Sequence, residues 1–471
     1  MSEVLTPDLC VIGGGSAGLT LAAGAVQMGA SVVLVEAARM GGDCLNVGCV
    51  PSKSLLAAAR RAQEMREAGP FGIAAVEPAI DFARVMEHVQ EVIRAIAPHD
   101  SVERFEGLGV RVVLDRARFT GPAEVLAGGR TIRARRFVLA TGSRPAIPPI
   151  PGLSDLPHLT NETVFDNRTR PEHLIVLGGG PIGCELAQAH RRLGSAVTIL
   201  DIGPILPRED PELVDLLRRR LLAEGVAIRD RVRVAGVEPG PVVVLEGEGG
   251  AERIPGSHLL VATGRLPTVD GLGLEAAGIR HSPKGIEVDA RLRTSNPRVF
   301  AIGDCTGGPQ FTHLAGWQAG VVIRNVLFRL WARGTPAALP RVTFTDPEIA
   351  TVGLLANEAR AEGLEPRVLE WPLAQNDRAQ AERRTEGRIK VVVGRRGRIL
   401  GATIVGPHAG ELLLPWVLAI ERGLGIGALA AVLAPYPTLS EISKRAAGSW
   451  YTPTLFSERT RRLVRLLARL G

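Results

Sequence analysis

The chain has 471 residues, 45% of them hydrophobic and 22% charged, and carries a formal net charge of +7. That length exceeds what one hydrophobic core usually organises, so two to four domains are expected, and the composition excludes a disordered chain. No apolar run reaches the ~18 residues of a membrane-spanning helix, and the positive charge, nearly all of it arginine, is scattered rather than clustered as a nucleic-acid surface requires.

The start, MSEVLTPDLCVIGGG, is acidic and enters an apolar strand without a basic n-region or cleavage site, so no signal peptide is expected and the location is read as cytoplasmic. In a reducing compartment five cysteines, an odd number, argue for redox-active or buried thiols rather than structural staples. Residues 8–36, DLCVIGGGSAGLTLAAGAVQMGASVVLVE, read as a strand, a glycine turn, an alanine-rich helix and a second strand ending in a carboxylate. Gly13, Gly15 and Gly18 form G-x-G-x-x-G, with Glu36 lying 23 positions after Gly13. Such glycines let the backbone approach a pyrophosphate, the helix N-terminus favours its charge, and the carboxylate accepts from ribose hydroxyls.

GGDCLNVGCVPSK (41–53) follows, with Cys44 and Cys49 five positions apart. Fully extended, that stretch spans about 17 Å, whereas a disulfide needs Cα atoms about 5.5 Å apart; Asn46 and Gly48 let it fold back. Pro51 suits a first helical turn, which puts Cys49 near a helix N-terminus, where the dipole favours thiolate, and Lys53 four residues on adds positive charge. A zinc site would need further Cys or His ligands close by, and the next one downstream is His88. The pair therefore reads as redox-active.

Helices are predicted over 50–67 and 81–97, with strands near VRVVLDRARF and RRFVLATGS. Pro145, Pro148, Pro149 and Pro151 in SRPAIPPIPGL break regular structure and mark a domain boundary. HLIVLGGGPIGCELAQAHRRLGSAVTILD (173–201) then repeats the βαβ pattern: Gly178, Gly180 and Gly183, with Asp201 again 23 positions after the first glycine. Two copies at matching offsets predict two dinucleotides, and hence hydride passing from a nicotinamide to a flavin. After LLVATGRLPTVDGLGL and TSNPRVFAIGDCT come a helix of about twenty residues from His313, a linker at 333–340, a hairpin in EGRIKVVVGRRGRILGATIVG, and helices to the end. The tail sets Leu463, Leu466, Leu467 and Leu470 on one helical face and Arg462, Arg465 and Arg469 elsewhere, a pattern that suits packing on its own domain or weak contact with anionic lipid. Cys10, Cys184 and Cys305 read as small buried residues.

Together GGDCLNVGCVPSK, the two glycine fingerprints, ATGSRP, ATGRLPTVDGLGL and VFAIGD resemble the class I pyridine nucleotide-disulfide oxidoreductases, such as glutathione reductase, dihydrolipoamide dehydrogenase and mercuric reductase. IAPHDSVERFEGLGV and VTFTDPEIATVGL resemble the mercuric reductase-like branch most. The resemblance implies an α/β fold of two Rossmann-like dinucleotide-binding domains plus a C-terminal α+β dimerisation domain. It implies FAD on residues 1–150 and 266–337, NAD(P) on 151–265, and a homodimer joined through 338–471. The FAD residues would be Gly13, Gly15, Gly18, Glu36, Gly42, Lys53, Thr141, Gly142 and Asp304; the NAD(P) residues Gly178, Gly180, Gly183, Asp201 and Gly264. Cys49 would contact the flavin, Cys44 would attack the substrate, and Lys53 would pair with Glu185. No resident metal is implied. NADH is expected because Asp201 would repel a 2′-phosphate and Ile202 follows it, with NADPH as the alternative, given Arg208 nearby.

The chain departs from the family at APYPTLSE. Tyr436 stands where glutathione reductase and dihydrolipoamide dehydrogenase place a histidine that reaches the partner subunit's active site, while Glu441 is kept. Reference values near 6.5 for histidine and 10 for tyrosine mean that a phenol cannot readily shuttle protons at neutral pH. Mercuric reductases resemble this chain in placing tyrosine there, yet the tail has none of their C-terminal cysteines, and no metal-binding module is read before residue 8. Three readings follow: an NAD(P)H-dependent reductase of a disulfide, metal ion or other acceptor; a dihydrolipoamide dehydrogenase-like oxidase of a dithiol; and a non-enzymatic flavin redox sensor.

Overall fold

Strand β1 (Leu9–Ile12) is buried along its whole length, as a strand covered on both faces must be. Helix α1 (Ser16–Gln27) and strand β2 (Val32–Glu36) complete the first βαβ unit, followed by the short helix α2 (Gly42–Asn46) and the long helix α3 (Cys49–Arg66). Pro51 sits in the first turn of α3, where a missing N–H costs nothing. Helix α4 (Phe82–Ile96) is capped by the Asp81 carboxylate, which accepts from Arg84 N–H at 3.0 Å, and buries the stripe Phe82, Met86, Val89. Strands β3 (Arg111–Leu114), β4 (Arg136–Leu139) and β5 (Ser143–Pro145) precede the second unit: β6 (His173–Leu177), α5 (Pro181–Arg192) and β7 (Ala196–Asp201). Helix α6 (Pro211–Ala223), strands β8 (Val226–Asp230), β9 (His258–Val261), β10 (Arg265–Pro267) and β11 (Val299–Ala301), and helix α7 (Thr312–Val326) follow.

The computed structural model describes residues 3–247 and 250–470. It divides into two compact units, Met1–Pro204 with Gly225–Thr335, and Ile205–Glu224 with Pro336–Gly471. Among the described residues the first unit holds a five-stranded parallel sheet in the order β11-β4-β1-β2-β3 and a four-stranded parallel sheet in the order β8-β7-β6-β9. In each sheet the strand order reverses beside the first strand of the βαβ unit, so both glycine turns lie at a switch point, where open α/β sheets bind ligands. Helices α1 and α7 pack through Leu21, Ala22, Ala25, Ala319, Val322 and Ile323. Helix α7 is shorter than the twenty residues expected: Arg329 turns left-handed at φ 54°, and Leu330 N–H folds back onto Arg324 O at 3.0 Å.

The second unit is built on an antiparallel sheet of β12 (Pro340–Thr343), β13 (Glu348–Gly353), β14 (Arg367–Pro372), β15 (Arg388–Val393) and β16 (Ile399–Gly406), ordered β12-β13-β16-β15-β14. Trp416 is fully buried beneath it and donates its Nε1–H to Ser443 Oγ at 3.0 Å. The segment 205–224, inside the range 151–265 that the sequence assigns to the second nucleotide domain, groups with this sheet instead. The reason is a set of charged contacts: Lys390 Nζ reaches Glu212 at 2.5 Å and Asp210 at 3.2 Å, and Arg341 reaches Glu209 at 2.7 Å. Helix α8 (Glu441–Gly448) packs against β14 and β15, and helix α9 (Glu458–Leu467) ends the described chain with no buried residue. The fold class expected from the sequence holds. Among the described residues no helix is long and apolar enough to cross a membrane.

Candidate active site

At the end of β1, Gly13 takes φ +113°, and a Cβ there would lie 2.3 Å from Ala140 O; at the end of β6, Gly178 takes φ +109°, with 2.4 Å to Ala262 O. Only glycine combines that backbone with so close a neighbour. Gly18 and Gly183 approach the carbonyl oxygens of Gly13 and Gly178 equally closely. The middle glycines cap α1 and α5 without any side-chain cap, and a Cβ on Gly15 would meet only Gly42 Cα at 3.8 Å, one on Gly180 nothing within 4 Å. Each helix therefore presents free N–H groups and room for a pyrophosphate. Glu36 accepts from Gly14 and Ala38 N–H at 2.5 and 2.6 Å, and Asp201 from Gly179 and Gly203 N–H at 2.5 and 2.7 Å. Both carboxylates keep acceptor capacity for ribose hydroxyls. The residues present thus fit two dinucleotides.

Around the first cradle, Thr141 Oγ1 donates to Thr268 O at 2.7 Å and Gly142 O accepts from Thr268 N–H. Ser143 Oγ donates to Asp304 at 2.6 Å, while burial pushes the Asp304 carboxyl above the usual carboxylate range. Gly264, beside the second cradle, accepts from Ala146 N–H at 2.9 Å.

Cys44 lies in α2, half-buried, and Cys49 begins α3, exposed. The Cys49 thiol is lowered to about 6 by a hydrogen bond with Cys44, helped by the Thr312 hydroxyl at 3.3 Å and the Lys53 charge, against burial and the Glu185 carboxylate. Cys44 moves the other way, pushed far above the ordinary thiol range by that same hydrogen bond, then by burial and the Cys49 charge. The pair thus holds one thiolate, on Cys49, and one proton, on Cys44. Lys53 Nζ meets Glu185 Oε2 at 2.8 Å, so α3 and α5 join at an ion pair whose carboxylate is buried. Cys49 and Lys53 also line an open, mostly apolar depression with Val50, His88, Val92 and Ile96. Cys10, Cys184 and Cys305 are fully buried, and burial raises each thiol.

Tyr436 and Glu441 belong to the other unit. The Tyr436 phenol is 69% exposed and donates to Asp377 at 2.9 Å, a bond that holds its pKa above the ordinary value. Glu441 pairs with Arg445 at 2.8 Å. Sequence reasoning missed Asp43 within the thiol loop, and Thr312, Asn161 and Arg265, which meet that loop only through the fold, with Ser143 behind Arg265.

Two phosphate cradles flanking a thiolate–thiol pair, with a lysine and a buried glutamate beside it, define a dithiol oxidoreductase that uses two dinucleotides. Residues 7–319 match the family Pyridine nucleotide-disulphide oxidoreductase, and 339–447 match that family's dimerisation domain. The chain belongs to this family and is an FAD-dependent oxidoreductase that uses NAD(P)H. Mercuric reductase from Streptomyces lividans is 36% identical over 451 residues, covering 93% of this chain and 95% of its own. Dihydrolipoyl dehydrogenase from Thermus scotoductus is 38% identical over 461 residues, covering 94% and 97%. Among solved structures, the Cu(II) complex of HOCl-induced flavoprotein disulfide reductase RclA from Escherichia coli matches with a TM-score of 0.83 at 28% identity, covering 93% of this chain and 98% of its own. LpdA from Mycobacterium tuberculosis matches with a TM-score of 0.86 at 28% identity, covering 95% and 99%.

Proposed function

We propose that the protein is a cytoplasmic, homodimeric NADH-dependent reductase whose Cys44–Cys49 pair delivers electrons to a disulfide or a soft metal ion. The single observation that carries this reading is the meeting of the Cys44 and Cys49 sulfurs, with Thr312 at 3.3 Å from Cys49 and the Lys53–Glu185 pair beside it, an arrangement that lowers the Cys49 thiol and raises that of Cys44. Bound FAD supplies a two-electron relay between nicotinamide and disulfide. Gly13, Gly15, Gly18, Glu36, Gly42, Lys53, Thr141, Gly142 and Asp304 would hold it, and Gly178, Gly180, Gly183, Asp201 and Gly264 would hold the nicotinamide dinucleotide. Asp201 followed by the exposed Ile202 favours NADH over NADPH. Residues 1–150 with 266–337, 151–265 and 338–471 would serve as the FAD, NAD(P) and dimerisation domains, with 205–224 packed on the C-terminal sheet.

Two electrons reaching the disulfide break the S–S bond and leave the thiolate on Cys49 and a thiol on Cys44. The Cys44 sulfur, on losing its proton, attacks an acceptor disulfide and expels one thiolate. Cys49 then attacks the Cys44 sulfur, expels the second thiolate and closes the bridge again. NADH and one solvent proton balance the conversion of RSSR to two RSH. A soft metal ion takes the pair differently: coordination by both sulfurs releases the Cys44 proton to water, so no protein base is required. That route suits a chain with Tyr436 in the histidine position, because a phenol held above its ordinary pKa is a poor proton shuttle. The same feature weighs against dithiol oxidation of the dihydrolipoamide dehydrogenase kind. Slow turnover with every acceptor would instead favour the sensor reading.

The exposed Leu463, Leu466, Leu467 and Leu470, beside Arg462, Arg465 and Arg469, support weak contact with anionic lipid. Loss of vesicle co-sedimentation on removal of residues 457–471 checks it.

The deciding experiment reduces the FAD-loaded protein anaerobically with NADH and with NADPH. Flavin reoxidation is then followed against Hg(II), Cu(II), lipoamide, glutathione disulfide and quinones. Cys49→Ser is expected to abolish the long-wavelength thiolate-to-flavin absorption while FAD stays bound, and Cys44→Ser to abolish turnover. Turnover retained by both variants would overturn the reading.

A further inference from the structure

Helix α2, which carries Cys44, has only five residues, too few to hold its own shape or position in water. Cys49 belongs to α3, eighteen residues long and fixed by its own packing. The approach of the two sulfurs is therefore set by whatever anchors α2 from outside. Local bonds, from Asn46 Nδ2 to Met40 O and Gly42 O, shape the loop but tie it to nothing beyond itself.

Leu45 packs into the interior and Gly41 N–H donates to Gly14 O at 2.9 Å, which seat the start of α2; the side-chain anchor from outside is Arg265. It opens β10, which pairs antiparallel with β5, and its side chain is only 14% exposed. Nη2 donates to the Asp43 carboxylate, one residue before Cys44, and to Ser143 O at 2.8 Å. Nη1 donates to Asn161 Oδ1 at 3.1 Å, and Asn161 Nδ2 in turn donates to Val47 O at 3.3 Å, three residues after Cys44. Nε donates to Ser143 Oγ at 2.8 Å, whose own proton goes to Asp304. One planar guanidinium thus grips the thiol loop on both sides of Cys44 and ties it to the strand that starts beside Gly264. A lysine could supply the charge but not the fork.

We propose that Arg265 is a positioning residue for Cys44, holding α2 where the Cys44 sulfur meets that of Cys49. This rests on the reading of Cys44 and Cys49 as the exchanging pair. A residue that positions one thiol against another changes the equilibrium of their disulfide, because that equilibrium reports their effective concentration.

The test equilibrates the FAD-loaded full chain with glutathione redox buffers and measures the Cys44–Cys49 disulfide fraction by alkylation and mass spectrometry. FAD content and melting temperature serve as controls. Arg265→Gln is expected to weaken the disulfide equilibrium about tenfold, and Arg265→Lys to recover part of that loss. Asp43→Ala should move it in the same direction, and the double variant should be no weaker than Arg265→Gln alone. Wild-type equilibrium in Arg265→Gln, or fully additive losses in the double variant, overturns the proposal. If Arg265→Gln loses its fold or its FAD, Asp43→Ala and Asn161→Ala each remove one arm of the grip, and unchanged equilibria in both overturn it. A wild-type chain that never forms the bridge would overturn the underlying reading and this proposal together, an outcome visible before any variant is made.

Discussion

Gly18 and Gly183 stand at the same place in the two βαβ units: a Cβ on the first would come within 1.8 Å of Gly13 O, and on the second within 1.9 Å of Gly178 O. Beyond that shared cradle the two helices diverge. Helix α1 buries only small and aliphatic residues, and its Gly24 would touch Ile323 at 2.7 Å if it had a Cβ, so it serves as a packing element against α7. Helix α5 buries Glu185, Gln188, His190 and Arg192, and sends Glu185 to Lys53 on the thiol-bearing helix. Glycine spacing therefore builds the same backbone cradle in both units, while the polar face of one helix, not its fingerprint, ties the second unit to the helix that carries Cys49.

Breaking the cradles one at a time separates the two roles most sharply. Valine at position 18 or 183 would press against a carbonyl oxygen at a cost of about 3 kcal/mol, roughly a hundredfold in nucleotide affinity where the cradle must shift to accept the side chain. Gly18→Val should give protein without FAD; Gly183→Val should stay yellow yet lose reduction by NADH, followed in a stopped-flow spectrometer. Identical phenotypes would erase the distinction between the two sites.

The next effect is on Cys49. In the native protein its thiolate forms as pH rises through about 6 and is lost below. Lys53 lowers that thiol and Glu185 raises it. Lys53→Gln should therefore move the midpoint up and slow alkylation at neutral pH roughly fivefold, and Glu185→Gln should move it down. The pH profile of iodoacetamide reaction reads both signs; shifts of the same sign would refute the electrostatic account.

Substituting Asp201 by Ser together with Ile202 by Arg should raise the NADPH-to-NADH preference about tenfold, measured as kcat/KM with each. Glu36 offers the control, since its loss should weaken FAD without altering that ratio. The smallest effect is expected at Tyr436. Its phenol is exposed and bonded to Asp377, so Tyr436→Phe should change reduction of a metal ion by less than about twofold. A large loss there would give the phenol a chemical role.

The parts of this site written in short spacings were legible in the sequence. The two fingerprints with their carboxylates, Cys44 with Cys49, and helices α3 and α4, expected at 50–67 and 81–97 and observed at Cys49–Arg66 and Phe82–Ile96, all rest on local pattern. Thr312 and Arg265 were not legible. Thr312 meets Cys49 across 263 residues and Arg265 meets Asp43 across 222, distances over which a hydroxyl or an arginine leaves no periodic trace in an arginine-rich chain. The end of α7 was hidden for a different reason: Leu327 and Phe328 continue a helical pattern, and the left-handed turn at Arg329 follows from no glycine or proline. The grouping of 205–224 with the C-terminal sheet depends on Lys390, again a long-range partner.

A thiolate at neutral pH is also more readily oxidised by peroxide than a protonated thiol. For Cys49 that hazard has a built-in remedy. Its sulfenic acid would condense with the neighbouring Cys44 thiol, release water and return the pair to its ordinary oxidised form before the irreversible acids could accumulate. In the proposed cycle the five-residue spacing thus protects the catalyst from oxidative damage with the same bond that would carry its turnover.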